Sequence, residues 1–171
     1  MTRETTQVEL RPVEPGDLDA FFAHQQDEDA RRMAAFTSAD PADRAAFDAH
    51  WAKLLDSHAI LARTIMVGGS AHDAEPERRH VAGHIVRFPL EGRLEVTYWI
   101  DRAWWGRGVA TAALRMLLTE LPERPVAARA AADNAASIRV LEKLGFRIVD
   151  RGRGFANARG EEIDELVLEL A

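Results

Sequence analysis

Tyr98-Trp99-Ile100-Asp101-Arg102-Ala103-Trp104-Trp105-Gly106-Arg107-Gly108-Val109-Ala110-Thr111 is the stretch whose reading decides the fold. An apolar strand ends near Asp101 and a glycine-containing turn follows. Ala110, Leu114, Leu117, Leu118 and Leu121 then recur at helical spacing until Pro122 stops them. The N–H groups of a helix's first turn have no partner inside the helix, and the aligned peptide dipoles place about half a positive charge there. Glycine permits positive φ and lets an anion reach the main chain without a Cβ in the way. Strand, glycine turn and helix N-terminus therefore make an anion site suited to a pyrophosphate. Its donors are the amides of Gly106, Arg107, Gly108, Val109, Ala110 and Thr111, and the Arg107 side chain either adds a cation or lies in solvent. A Walker A loop needs Gly-Lys-Ser/Thr where Gly108-Val109-Ala110 stands, and a dinucleotide fingerprint needs a third Gly or Ala at Thr111 in an early βαβ unit. Neither fits, which leaves the anion site or a plain connection that binds nothing.

Working upstream, Val8-Glu9-Leu10-Arg11 reads as a strand ending at Pro12, and Asp17 as the cap of a helix with Leu18, Phe21 and Phe22 on one face. Asp40-Pro41 starts a second helix carrying Phe47, Trp51, Leu54 and Leu55. Between them, Asp27 to Ser38 is open between a short helix and a mobile flap. Strands are expected at Ile60–Val67, Val81–Phe88 (stopping at Pro89) and Leu94–Ile100, with a polar loop from Ser70 to Arg79 and a turn at Glu91-Gly92-Arg93. These form an antiparallel meander. Downstream come a short strand at Val126–Ala130 and a helix from Asn134 to Leu144, with Asp133 or Asn134 as cap and Gly145 at its C-terminal end. Strands at Phe146–Val149 and Ile163–Leu170 follow. The order β-α-α-β-β-β-α-β-α-β-β predicts an α/β (α+β) fold, with one mixed, mostly antiparallel sheet and helices on both faces.

A chain of 171 residues fits one domain spanning 1–171. The 22 Lys and Arg against 28 Asp and Glu leave a formal charge of −6, which argues against nucleic-acid binding by phosphate neutralisation. No Cys is present, so disulfides, Cys-ligated metals and a thiol nucleophile are excluded. No His/Asp/Glu cluster has metal-ligand spacing. Met1 to Thr6 carry no apolar leader core and no apolar run approaches the roughly 20 residues of a membrane span, so a cytoplasmic protein is expected.

The segment Trp105-Gly106-Arg107-Gly108-Val109-Ala110 resembles the acetyl-CoA motif Arg/Gln-x-x-Gly-x-Gly/Ala of the GNAT N-acetyltransferase superfamily. Asn134-Ala135-Ala136-Ser137-Ile138-Arg139-Val140-Leu141-Glu142-Lys143-Leu144-Gly145-Phe146 resembles its second motif, an Asn-initiated helix closing on Lys-Leu-Gly-Phe. The likeness is strongest to the branch that includes the ribosomal-protein N-terminal acetyltransferases. It implies a GNAT fold of about seven strands, acetyl-CoA as co-substrate, and direct transfer to an amine in a ternary complex. It also implies a pantetheine arm running along Trp99-Ile100, where a main-chain N–H can polarise the thioester carbonyl. Two positions depart from the pattern. Trp105 replaces the usual Arg or Gln, and Leu141 stands where many members carry a Tyr that protonates the departing thiolate.

The attacking amine must lose a proton, directly or through water. Glu95, on the strand face of Thr97 and Trp99, is the first candidate base, against a reading as an exposed strand residue or ion-pair partner. His84 is the second, against a reading as a satisfied structural histidine. His24, His50, His58, His72 and His80 receive no role. Ser137 and Tyr98 are the candidates for protonating sulfur; Ser137 also reads as a local helix-start hydrogen-bonder and Tyr98 as core. Asn134 reads as a helix cap that also bonds the pantetheine. Trp51 fits a core helix face, Trp99 the acceptor pocket wall, and Trp104 and Trp105 the packing of the turn. The resemblance places acceptor specificity in Phe22–Trp51 and the loop Gly154–Gly160, and Asp27, Glu28 and Asp29 suit a cationic amine. Peptide N-termini, aminoglycosides, polyamines and other small amines stay open, as does a homodimer. The competing reading is a non-catalytic acyl-CoA-binding or regulatory module.

Overall fold

The computed structural model describes residues 6–68 and 78–171. The expectations for Met1 to Thr5, and for the loop from Ser70 (with His72) as far as residue 77, lie outside the described residues. Seven strands form one sheet: β1 (Val8–Pro12), β2 (Leu61–Gly68), β3 (Arg79–Leu90), β4 (Arg93–Ile100), β5 (Val126–Ala131), β6 (Arg147–Ala156) and β7 (Glu161–Leu170). Their spatial order is β1-β2-β3-β4-β5-β7-β6. Every neighbouring pair is antiparallel except β4–β5, which is parallel because the chain crosses over through a helix between them. The helices among the described residues are α1 (Asp17–His24), α2 (Glu28–Ala34), α3 (Arg44–Asp56), α4 (Val109–Glu120) and α5 (Ala135–Lys143), with a 3₁₀ turn at Arg102–Trp104.

Strand periodicity divides the side chains between two faces. On the back face, Ile65, Val67, Ile85, Val96 and Ile100 of the meander pack against Leu114 and Leu117 of α4 and Leu141 of α5. On the front face, Val86 packs with Phe21 of α1 and with Phe47 and Trp51 of α3. These clusters fix α4 and α5 on one side of the sheet and α1 and α3 on the other.

The parallel pair decides where a ligand can enter. Only Leu94↔Val126 and Glu95↔Ala127 are in register; beyond them β4 and β5 diverge. Asp101 donates its N–H to Ala82 of the neighbouring meander chain at 2.7 Å. Amides alternate sides along a strand, so Trp99 also faces β3, while Tyr98 and Ile100 face the open gap.

Several boundaries differ from the sequence expectations. Gly16, not Asp17, is the N-cap of α1 and gives no side-chain cap; Asp17 is buried and holds Arg11 in a bidentate pair at 2.7 and 2.8 Å. Asp17 also accepts from Thr64 at 2.7 Å, a long-range demand that local cap preference does not reveal. α3 starts three residues after Pro41 because Asp43 caps it through Ala46 N–H, while Asp40 serves a turn. β3 runs through Pro89 to Leu90, where the hairpin end tolerates a residue without an N–H. β5 extends to Ala131. β6 and β7 are both longer than expected, so Gly154 to Ala156 are strand and the connection narrows to Asn157–Gly160. The Asp27–Ser38 segment contains α2, capped by Asp27.

Candidate active site

Gly106 and Gly108 both have positive φ, at 71° and 77°, and a Cβ built at either would meet nothing within 4 Å. The left-handed N-cap Gly108 supplies no side-chain cap to α4, and the first helical hydrogen bond runs from Ala112 N–H to Gly108 O. The amides of Val109, Ala110 and Thr111 precede it and point at that open space, so the residues present fit a diphosphate. Arg107 stacks its guanidinium on Trp104 at 4.9 Å from the ring centroid. Trp105 turns its indole back and donates to Ile100 O at 2.9 Å. A bulky aromatic therefore braces the turn from the end of β4, and the Ile100 N–H is left facing the gap.

On the back side of the gap, Asn134 caps α5 by accepting from Ser137 N–H at 3.2 Å. Its amide nitrogen donates to Met33 O of α2, also at 3.2 Å. Ser137 Oγ and Tyr98 Oη form a hydrogen bond of 2.9 Å, which brings the two candidate proton donors into one unit. Burial pushes the Tyr98 phenol above its ordinary value, and the bond to Ser137 opposes that.

On the front side a cleft of about 690 Å³ opens between β4, β5 and β7 below and the α2–α3 connection and α3 above. Phe36, Phe47, Phe88 and Trp99 give it apolar walls. The Trp99 indole N–H is buried and unpaired. The floor is charged. Glu95, 3% exposed, takes Arg129 Nε on both carboxylate oxygens at 3.0 and 3.2 Å, with Arg93 at 3.7 Å. Arg129 also reaches Glu91 at 3.3 Å and Glu165 at 4.0 Å. Burial pushes the Glu165 carboxyl up; Arg129 opposes this and the charge of Glu95 reinforces it.

Glu95 and Trp99 thus share this cleft, as their strand face requires, while Ser137, Asn134 and the Gly106–Thr111 turn lie behind the gap. His84 lies outside both groups. It is packed between Phe21 and Trp51, at centroid distances of 4.8 and 4.9 Å. Burial, helped by His24 and His50, pushes its imidazole down to about 3, so it is neutral and structural. His24 has a partner the sequence did not reveal, Asp101 at 3.7 Å. Arg129 and Glu165 were missed. The only available signal for Arg129 was one charge inside the otherwise apolar run Val126–Ala131; Glu165 looked like ordinary solvent-side alternation.

The α2 segment straddles the gap. At one end Arg102 pairs with Asp27 and Asp29, at 3.4 and 2.5 Å. At the other, Arg159 donates to Arg32 O at 2.9 Å and pairs with Asp133, Ala158 N–H donates to Ala35 O, and Asn157 donates to Thr37 O. The Asp27–Ser38 stretch is therefore a strap fastened to both sides of the opening. Among the described residues, no helix is long and apolar enough to cross a membrane.

A family model, the acetyltransferase (GNAT) domain, matches residues 7–147. A curated relative, an uncharacterised N-acetyltransferase p20 of Bacillus licheniformis, is 31% identical over 83 residues. That match covers 46% of this chain and 47% of the relative, so the chain spans about half the length of the relative it matches. An N-acetyltransferase structure from Staphylococcus aureus Mu50 superimposes with a TM-score of 0.76 at 19% identity, covering 96% of this chain and 98% of that one. RimJ of Mycobacterium smegmatis, solved in complex with CoA-disulfide, gives a TM-score of 0.71 at 20% identity, covering 95% and 81%. At these identities the structural likeness concerns the fold alone.

Proposed function

The chain belongs to the GNAT acetyltransferase family, and from that premise we propose that it transfers an acetyl group from acetyl-CoA to a primary amine, both held together across the β4–β5 gap. The observation that carries this reading is the presence of three parts in one fold: the open glycine turn at Gly106–Thr111, the divergence of β4 from β5, and the front cleft lined by β4 and β5. Acetyl-CoA supplies an acyl group already activated towards amines as a thioester. The amides from Gly106 to Thr111 hold its diphosphate. Tyr98 and Ile100 offer their free N–H groups to the extended arm, as a neighbouring strand would, and Ile100 N–H polarises the thioester carbonyl. Asn134 exchanges its Met33 partner for an amide of the arm while keeping its cap on α5.

Proton handling is divided between the two sides of the sheet. Ser137 donates to the departing sulfur, and Tyr98, bonded to it, orients the hydroxyl; this fills the role left open by Leu141. The amine proton is drawn towards the acidic floor, where Glu95 keeps Arg129 in place. The apolar walls and acidic floor favour a peptide N-terminus or another small amine with an apolar neighbour.

Calorimetric titration with acetyl-CoA, followed by thiol release with a panel of amines, tests the reading. Saturable binding and amine-dependent CoA release are expected. Tight binding with no turnover would favour a non-catalytic acyl-CoA-binding module, and no binding by well-folded protein would end the proposal.

A further inference from the structure

Two carboxylates stand at the floor of the cleft, and their surroundings differ in a way that separates their roles. Glu95 is sealed: both of its oxygens are engaged by one guanidinium nitrogen of Arg129, and only 3% of its side chain is exposed. Glu165 is reached by Arg129 only at 4.0 Å, and 18% of its side chain is exposed. The strand register explains why there is room beside it. On β7, Glu165 stands opposite Ala131 of β5 on one side and Gly152 of β6 on the other. Cross-strand partners project from the same face, so both flanks of this carboxylate are small. A Cβ added at Gly152 would touch nothing within 4 Å. The carboxylate thus sits in a notch of the cleft wall, beside an arginine already neutralised by Glu95 and Glu91.

Resting on the transferase reading, we propose that Glu165 is the residue that receives the acceptor: it docks a primary ammonium group and takes its first proton, while Glu95 acts at one remove by holding Arg129. The step balances. The nitrogen gives one proton to Glu165, which passes it to solvent, and its freed lone pair forms the C–N bond at the thioester carbonyl carbon. The C–S bond breaks with its electron pair on sulfur, and the second nitrogen proton is balanced by the proton that ends on the thiol. A carboxyl raised by burial is suited to this work, because a base is most effective when its pKa approaches the operating pH. The other charged and titratable groups lining the same cleft are Arg129 of β5, Glu95 and Tyr98 of β4, Arg31 of α2, Asp40 and Asp43 of the α2–α3 connection, and His50 of α3. Arg31 is turned onto the carbonyls of Gln25 and Gln26, Asp43 caps α3, Asp40 holds its turn through Ala42 N–H, and the Tyr98 phenol, raised by burial, is bonded to Ser137, so none of them is placed to take the proton. His50, on the α3 wall of the cleft, is the remaining competitor.

The test is the pH profile of kcat/KM for CoA release with 2-phenylethylamine, spermidine and the free tripeptide Ser-Phe-Ala as acceptors. It is run on the intact wild-type chain and on Glu165→Gln, Glu95→Gln and His50→Gln. Glu165→Gln is expected to lower kcat/KM about 100-fold at neutral pH and to remove the acidic limb of the profile. Acetyl-CoA affinity and Tm should remain near those of the wild type. Glu95→Gln should lower Tm and keep the acidic limb, and His50→Gln should keep both. Retention of the acidic limb in Glu165→Gln, or its loss in His50→Gln, overturns the assignment. So does a wild-type chain that binds acetyl-CoA and turns over none of the three amines. Failure to bind acetyl-CoA is a different result, which breaks the transferase reading itself.

Discussion

The turn at Gly106–Thr111 and the floor at Glu95, Arg129 and Glu165 face the same gap and are built in opposite ways. The turn is local: six consecutive residues place their amides, and two left-handed glycines keep the approach clear. Nothing distant is needed beyond the strand that feeds it. The floor is assembled from β4, β5 and β7, with Glu95 and Glu165 separated by most of the C-terminal half of the chain. A site made of main chain tolerates side-chain drift but not a Cβ in the wrong place. A site made of ion pairs depends on side-chain identity, and on the burial that makes the pairs matter.

The sharpest way to break this contrast lies between the two regions, at the hydroxyl pair. Ser137→Ala should lower kcat about 100-fold while the Kd for acetyl-CoA changes by less than about 3-fold, measured by thiol release and calorimetry. An unchanged kcat would leave sulfur protonation to another group. Next is the floor. Arg129→Ala leaves the buried Glu95 charge with only Arg93, at 3.7 Å, and should cost about 2 kcal/mol in urea denaturation, a figure reduced because Arg129 is partly exposed. Acetyl-CoA binding should survive. Gly108→Ala is the reciprocal change. A left-handed alanine costs about 1–2 kcal/mol and sets a methyl group where the proposed diphosphate site lies, so the Kd for acetyl-CoA should rise about 10-fold or more with little effect on the cleft.

A smaller effect, graded with pH, comes from the aromatic pocket beside the cleft. The folded His84 value of about 3 lies below the ordinary 6.5, so the unfolded chain binds the proton more readily. The stability from a neutral His84 is complete above about pH 6.5. It then falls by up to about 1.4 kcal/mol per pH unit on acidification towards 3. His24, also lowered by burial with Asp101 opposing, contributes with the same sign. Urea melts at pH 7, 6 and 5 should show that slope, and His84→Leu should flatten it. The smallest change is Asn134→Ala, which removes the α5 cap and the bond to Met33, for about 1 kcal/mol.

Legibility followed the same division. The α4 stripe, the glycine turn, the Asn134 cap and the strand meander all announced themselves, because each depends on residues within a few positions of one another. Asp17 was misread as a cap because its real partners, Arg11 and Thr64, include one 47 positions away. Pro41 looked like a first helical residue, yet Asp43 offered the better cap. The Asp27–Ser38 segment had no decisive periodicity, since its anchors are Arg102, Asn134, Asn157 and Arg159, all distant in the chain. Glu95 was legible as a carboxylate on the right strand face. Its hold on Arg129, and the presence of Glu165 beside them, were not.

By itself, the amino-acid order determined the alternation of strands and helices, the glycine turn that opens α4 and the family to which they belong, because hydrophobic period, capping and glycine conformation are short-range properties. Only the folded chain decided which carboxylate is sealed and which is accessible, that Tyr98 meets Ser137, and that a charged segment straps the opening. Those outcomes depend on how strands far apart in sequence come into register, and on the loss of water from charges that a sequence displays as equally solvated.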